Sequence, residues 1–315
     1  EHLEDFHHHE LTDSGEDDGH FDLIETTVSH LFREPNDTLN GLTYGRLLMK
    51  QLRKLGWFTP KPRVIVEVGG GLGYLARELG KELLPFEKQT IRYISLDITQ
   101  PFLKLQVTRA KAGGWSGIGT RANGEWLPFK DNSVDLVIDN ENMADMTPVK
   151  LTRKELLDGT GDRPQHQEAL DWIRRVRLPL GQDLPEDVIF NLGPFRFVAE
   201  LWRVLKPGGR AFLTEFGIEE GWPTPVKLPG HTEYEVQYSH LRQATRWLGF
   251  QERYLSLPQF LAIKPDTKVL CTGAAYTIQR FCQAMNKPFI VRAYTENELQ
   301  QALGDMLPKL HGCHY

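Results

Sequence analysis

The chain has 315 residues, of which 25% are charged and 40% apolar, and its formal net charge at pH 7 is −5. That length suits one large α/β unit carrying insertions. The charge balance gives no basic surface for nucleic acid or acidic lipid, and no apolar run approaches the ~18 to 20 residues that span a bilayer, so neither nucleic acid binding nor membrane insertion is expected.

No basic-plus-apolar signal segment opens the chain, and it begins at Glu1 without a methionine, so natural residues are expected to precede it. Residues 1–20 are acidic and hold His2, His7, His8, His9 and His20, which reads as a flexible tail. Its histidines lack partner ligands at fixed helical spacing, so no metal site is expected there. Residues 21–62 read as a helical cover, with apolar residues at helical intervals over Phe21 to Phe32 and again over Leu42 to Trp57. Tyr44 and Arg46 are its candidates to face a ligand.

From Val64 to Leu79 the pattern changes from buried strand to glycine turn to helix. Val64, Ile65, Val66 and Val68 suit a parallel strand, with Glu67 near its carboxyl end; Leu72, Leu75, Ala76 and Leu79 recur at helical spacing. Gly69, Gly71 and Gly73 lie between, where a ligand must approach the backbone and the free N–H groups of the next helix. A second strand, IRYISLD, ends at Asp97, an acid placed to bond ribose hydroxyls. PFLKLQVTRAKAG reads as a helix stopped at Gly113 and Gly114. A third strand around Ile118 leads to NGEWLPF, starting at Asn123 and Gly124.

The fourth strand, Val134 to Ile138, should deliver Asp139, Asn140, Glu141 and Asp145 outside its carboxyl end, with Asp145 read as a helix cap or solvated acid. Lys150 to Ile189 is too apolar for a linker and reads as a helical insertion over the active site. A helix from Leu192 to Leu205 and the turn KPGG precede a fifth strand. Residues 218–232, with Trp222 and His231, read as a substrate loop. A helix from Ser239 to Leu248, then strand-like runs near Arg253 to Leu257, Val269 to Ile278 and Phe289 to Tyr294, are expected to complete the sheet. Cys271, Cys282 and Cys313 form no CxxC or paired-His pattern, which points to reduced thiols and a cytoplasmic or organelle-matrix location.

The order EVGGGLG, SLD, LPF, SVDLVID and LKPGGRAFLTEFG resembles the class I S-adenosylmethionine-dependent methyltransferases over Val64 to Gly217. The resemblance implies a Rossmann-like, mostly parallel sheet with helices on both faces, covering residues 63–315 here with insertions near 150–190 and 218–232. It implies S-adenosylmethionine as cofactor, with Glu67, Gly69, Gly71 and Gly73 at its methionine and ribose part, Asp97 on the ribose, and Asn123 and Gly124 beside the adenine. Where most such enzymes have Asp, Asn123 would present its carbonyl oxygen to the adenine amino group. Glu67 and Asp97 are thirty residues apart, where about 20 is usual, which implies a longer loop after the first helix.

The strings YGRLLMKQL, YISLDITQPFLKLQ, NENMADMTPV and HTEYEVQYSHLRQATRWLGF also look like the MidA family of respiratory-complex assembly methyltransferases, which implies an arginine of a partner protein as acceptor. NENMADMTPV carries one residue more than that family's motif, so the acceptor stays open between a small molecule, a carrier-bound group and a protein side chain. A cofactor-binding scaffold without turnover and a nucleotide-dependent oxidoreductase are the competing readings, the latter disfavoured by LPF and KPGG. In a methyltransferase, Asn140 and Glu141 are the catalytic candidates: positioning supplies up to ~7 to 11 kcal/mol, and a carboxylate base adds about 10² to 10⁴-fold. His231 and His240 are the available stronger bases.

Overall fold

The computed structural model describes residues 29–181, 183–227, 231–264, 267–268, 272–289 and 294–304. The acidic tail with its histidines, the start of the first cover helix, Cys271 and Cys313 lie outside them.

In chain order the first elements are α1 (Ser29–Arg33), α2 (Tyr44–Lys54), β1 (Val64–Val68), α3 (Tyr74–Lys81), α4 (Pro85–Thr90), β2 (Arg92–Asp97), α5 (Gln100–Gly113), β3 (Ile118–Arg121) and β4 (Val134–Asn140). They are followed by β5 (Val149–Thr152), α6 (Arg153–Asp158), α7 (Pro164–Val176), β6 (Asp187–Phe190), α8 (Leu192–Val204) and β7 (Leu205–Thr214). The central sheet is wholly parallel in the order β3-β2-β1-β4-β7. Helices pack on both faces, so the fold is Rossmann-like α/β.

Alternation along the strands explains the two layers. Ile65 of β1, Leu136 and Ile138 of β4 and Phe212 of β7 point to one face, where Leu48 and Leu52 of α2 and Leu75 and Leu79 of α3 cover them. Val66, Val68 and Val137 point to the other, against Phe195, Val198 and Leu201 of α8. The strand starts are tied by Asp135. Its Oδ2 accepts from the Arg63 and Val64 N–H groups at 3.0 and 2.9 Å and receives Lys206 Nζ at 2.9 Å. Lys206 belongs to the KPGG segment, which is a bulge within β7: Val134 faces Leu205, yet Leu136 faces Arg210.

The insertion is helical as expected but is framed by an antiparallel pair, β5 with β6, and it lies elsewhere than predicted. Trp172 of α7 packs edge-on against Phe195 of α8 at 5.6 Å and against Trp247 at 6.1 Å. Its apolar residues are therefore consumed against α8 and the helix α9 (Tyr238–Leu248), on the flank of the sheet.

Among the described residues the last third does not complete the sheet as expected. Gly217–Ile218 with Val236–Gln237, Pro225–Lys227 with Thr232–Tyr234, and Thr267–Lys268 with Tyr294–Thr295 form separate two-stranded pairs. Residues 253–256 form no strand, and Thr272–Ala284 is a helix. Ile278, buried Cys282, Phe289, Tyr294, Leu299 and Leu303 make a small core of their own.

The helical cover is fastened by a charge pair beneath α2. Glu87, 2% exposed, receives Arg53 Nη1 at 2.9 Å and also Arg53 Nη2, while Arg53 lies over the Phe58 ring. Burial alone would raise the Glu87 carboxyl; the bonds from Arg53 and the Leu84 N–H hold it below its ordinary value. Removing Arg53 leaves that carboxylate without its partner, so Arg53→Ala is expected to cost about 1 to 3 kcal/mol in urea unfolding. A change below about 0.5 kcal/mol, the level of an ordinary surface substitution, would show that water replaces the guanidinium.

Candidate functional site

The connections run outward in opposite directions from β1 and β4, so a crevice opens at the carboxyl ends of these two neighbours, where open parallel sheets bind ligands. A cleft occupies it. Glu67, Gly69, Gly71, Gly73, Asp97, Asn123, Gly124, Asn140 and Glu141, all drawn from the sequence, line this one cleft.

The glycine turn follows from steric need. Gly73 has φ 80°, and a Cβ there would lie 2.6 Å from the Gln106 backbone of α5. A Cβ on Gly71, φ 47°, would meet nothing within 4 Å, because that face is open cleft. The carboxylate of Asp97 is held ready: Oδ1 accepts from the Thr99 N–H at 2.9 Å, and Oδ2 accepts from Gln106 Nε2 at 2.6 Å. Gln106 also donates to the Gly71 carbonyl at 3.0 Å, joining the second strand's acid to the glycine turn. Gln106 escaped the sequence reading because nothing local marks it. Asn123 departs from its assigned use, since its Oδ1 already accepts from the Glu125 N–H at 2.8 Å. An adenine amino group would have to share that oxygen. Glu125, also on the cleft, is satisfied by Thr147 and by Arg196 at 2.9 Å.

At the β4 end, Tyr44 reaches the site indirectly by donating to Asn140 Oδ1 at 2.6 Å. Arg46 does not: it pairs with Glu82 at 2.6 Å. Phe32 of α1 lines the cleft instead. Glu141 sits at φ 54°, a left-handed conformation costly for a non-glycine residue, and is held there by its N–H on the Thr214 carbonyl at 2.9 Å.

Two of the acids expected after β4 exchange roles. Asp139 is fully buried away from the cleft and accepts from Asn142 Nδ2 at 2.8 Å, so it is not delivered toward a ligand. Asp145, expected to be a cap or a solvated acid, lines the cleft, with His231 Nε2 at 3.8 Å. Glu215 and Glu233, brought by the segments after β7, line the same end and lay outside the sequence expectation. Glu215 accepts from the Ala144 and Phe216 N–H groups, both at 2.9 Å. His231 also meets Glu233 at 3.4 Å. His240 is packed edge-on against Trp222, off the cleft, and burial pushes it down to about 4. None of the described residues lining the cleft belongs to 150–190.

The electrostatics are one-sided. Among the described residues seven carboxylic acids line the cleft, and none of the lining residues is Lys, Arg or His. Burial, opposed by Tyr93 and reinforced by Asp97 and Asp139, pushes Glu67 up to about 8. Burial together with Glu233 pushes Glu141 up to about 7; burial, Glu233 and His231 together leave Asp145 at about 7. Asp97 is also raised by burial, against the bonds from Thr99 and Gln106.

Residues 66–156 match the Methyltransf_11 family, described as a methyltransferase domain. A comparison with curated protein sequences finds no match. Among solved structures the chain is similar to the [4+2]-cyclase SpnF, at 18% identity over 60% of this chain and 50% of that one, TM-score 0.37. It is similar to an S-adenosylmethionine-dependent methyltransferase of Methanosarcina mazei, at 17% identity over 61% and 81%, TM-score 0.36. A third is phosphoethanolamine N-methyltransferase 1 of Haemonchus contortus, at 16% identity over 68% and 32%, TM-score 0.34. The chain spans about half the length of several solved chains that it matches.

The family match supports S-adenosylmethionine-dependent methyl transfer, with S-adenosylmethionine as the cofactor. The residues present fit that molecule. Glu67 is 1% exposed and its Oε2 has no hydrogen-bond partner, an arrangement that suits an ammonium group, while Asp97 and the open face of Gly71 suit a ribose.

Carboxyls raised by folding bind protons that the unfolded chain has already released, so their contribution is full below about pH 4 and is lost as pH rises through 7 to 8. His240, lowered to about 4, acts oppositely, adding stability as pH rises up to its ordinary 6.5. Above that window only the carboxyls remain, so the melting temperature of the ligand-free protein should fall between about pH 6.5 and 8.5, and less steeply with S-adenosylmethionine bound. A flat profile in calorimetric melts would contradict the acid cluster.

Proposed function

We propose that this chain is a methyltransferase that moves the methyl group of S-adenosylmethionine to a small-molecule, carrier-bound or protein side-chain acceptor seated beside Asn140 and Glu141. The observation that carries this is the convergence of Glu67, the glycine turn, Asp97, Asn123, Gly124, Asn140 and Glu141 on one cleft at the β1/β4 switch point. When bound, the cofactor supplies a methyl group on a sulfonium, a leaving group that needs no protonation.

In this reading Glu67 takes the ammonium group, Asp97 the ribose, and the Asn123–Gly124 turn the adenine edge. Asn140 has given its oxygen to Tyr44, which leaves Nδ2 as the donor toward the acceptor. Glu141 orients the acceptor and takes its proton, and an acid near 7 is matched to that task at neutral pH. Phe32 and Phe216 wall the cleft and exclude water. The fixed backbone of Glu141 serves the alignment of lone pair and breaking bond on which most of the acceleration depends. The MidA-like reading, with arginine as acceptor, uses the same cofactor residues and differs only in what enters at Glu141.

Calorimetry should show binding of S-adenosylmethionine in preference to NAD, and Asp97→Ala should weaken it by ~1.5 to 3 kcal/mol. Equal affinity in variant and parent would overturn the ribose assignment. In a methyl-transfer screen over arginine peptides, phenols, amines and carrier-bound acyl groups, Glu141→Gln should lower turnover by about 10²-fold or more with cofactor affinity little changed. Unchanged turnover would leave Glu141 a structural residue.

A further inference from the structure

The carboxylates of the cleft divide into those held by several fixed donors and those held by none or by a single shared imidazole. Asp97 is bonded to Thr99 and Gln106, Glu125 to Thr147 and Arg196, and Glu215 to two backbone N–H groups. Glu67, on the reading above, belongs to the cofactor ammonium. Glu141, Asp145 and Glu233 remain, at the end of the cleft where β4 and β7 finish. Glu141 carries no hydrogen bond on its side chain among the described residues. Asp145 Oδ1 is shielded from solvent and makes none either, with His231 Nε2 3.8 Å away.

One imidazole supplies at most one positive charge to three acids. Arg33, Arg77 and Arg109 are engaged over the Tyr74 ring at the glycine-turn end, and Arg196 is engaged on Glu125. Half-buried like charges that share one imidazole are costly, and a cation entering among them recovers that cost. The walls suit the same guest, since Phe32 and Phe216 offer aromatic surface to a cation. Buried Glu67, whose Oε2 has no hydrogen-bond partner, adds a further acid able to receive positive charge in the same cleft.

We propose that the methyl acceptor is an aliphatic amine, bound as its ammonium ion among Glu141, Asp145 and Glu233. This rests on the methyltransferase reading and names its substrate class. Asp145 and Glu233 hold the cation. Glu141 removes one N–H proton, the freed nitrogen lone pair forms the N–C bond to the methyl carbon, and the C–S bond breaks with its electron pair passing to sulfur. The positive charge of the sulfonium thereby moves to the methylated ammonium, and the proton on Glu141 leaves to solvent. A guanidinium fits less well, because its proton is held far more tightly than a carboxylic acid near 7 can accept. The nearest competing occupant is a divalent cation, since donor atoms of Asp145, His231 and Glu233 lie within 4.8 Å of one another.

The test is calorimetric titration of the full chain saturated with S-adenosylhomocysteine, using 1,4-diaminobutane, 1,4-butanediol, agmatine and Mn²⁺ as separate probes. The diamine should bind at least about tenfold more tightly than the diol, the scale of one hydrogen bond to a charged group. Asp145→Asn and Glu233→Gln, checked by melting to be folded, should each lose about that factor for the diamine while keeping S-adenosylhomocysteine affinity. Diamine and diol binding alike would overturn the proposal, as would tighter agmatine than diamine. Mn²⁺ binding abolished by Asp145→Asn, with no preference for the diamine, would also overturn it and make the cluster a metal site. Failure of S-adenosylhomocysteine itself to bind would remove the parent reading, an outcome separate from loss of amine selectivity.

Discussion

The structure depends on an excess of buried carboxylate at the carboxyl ends of three adjacent parallel strands. β1 carries Glu67 one residue before its end, β4 ends with Asp139 and Asn140 and leads into Glu141, and β7 runs directly into Glu215. Parallel register forces these ends together: Glu67 lies level with Ile138, Val68 with Asp139, and Asn140 with Thr214. No stable protein places so many acids in one buried region without either neutralising them by protons or reserving them for a cation. Burial pushes Glu67 up to about 8 and Glu141 and Asp145 up to about 7, which favours proton uptake, and the proposed ammonium guest would supply the cation instead.

The rest of the fold serves to keep that region rigid and dry. Asp135 and Lys206 lock the opposite ends of the strands, so register errors cannot move the acids out of line. The helical cover, fixed through Arg53 and Glu87, places Tyr44 behind Asn140 and Phe32 across the cleft. Asn142 crowds Gly69 so closely that a Cβ there would lie 2.2 Å from its Oδ1, which ties the loop after β4 to the glycine turn. The residues proposed for the cofactor and those proposed for the acceptor are thus parts of one packed surface, and a shift at one is felt at the other.

The features legible in the sequence are those whose physical reason is local. The β-branched run and glycine turn, Asp97 at its strand end and Gly114 at φ 99° after α5 each follow from needs within a few residues. Asp97's partner Gln106, the exchange of roles between Asp139 and Asp145, and the arrival of Glu215 and Glu233 depend on how distant segments pack, and no spacing announces them. Lys150 to Ile189 was misplaced for a similar reason. Apolar content shows that a segment is buried but not against what, and here Trp172 is buried against α8 and α9 rather than over the cleft. The strand-like runs of the last third are apolar at short range yet are spent on a separate small core.

The central claim is that the cleft between β1 and β4 receives S-adenosylmethionine through the acids and glycines that line it. A crystal structure of the full chain with S-adenosylhomocysteine tests this most directly. The account predicts the ligand's ammonium group on Glu67, its ribose hydroxyls on Asp97 and its adenine beside Asn123 and Gly124, with the sulfur facing Glu141. A ligand bound elsewhere, or one whose ribose leaves Asp97 bonded only to Thr99 and Gln106, would contradict it.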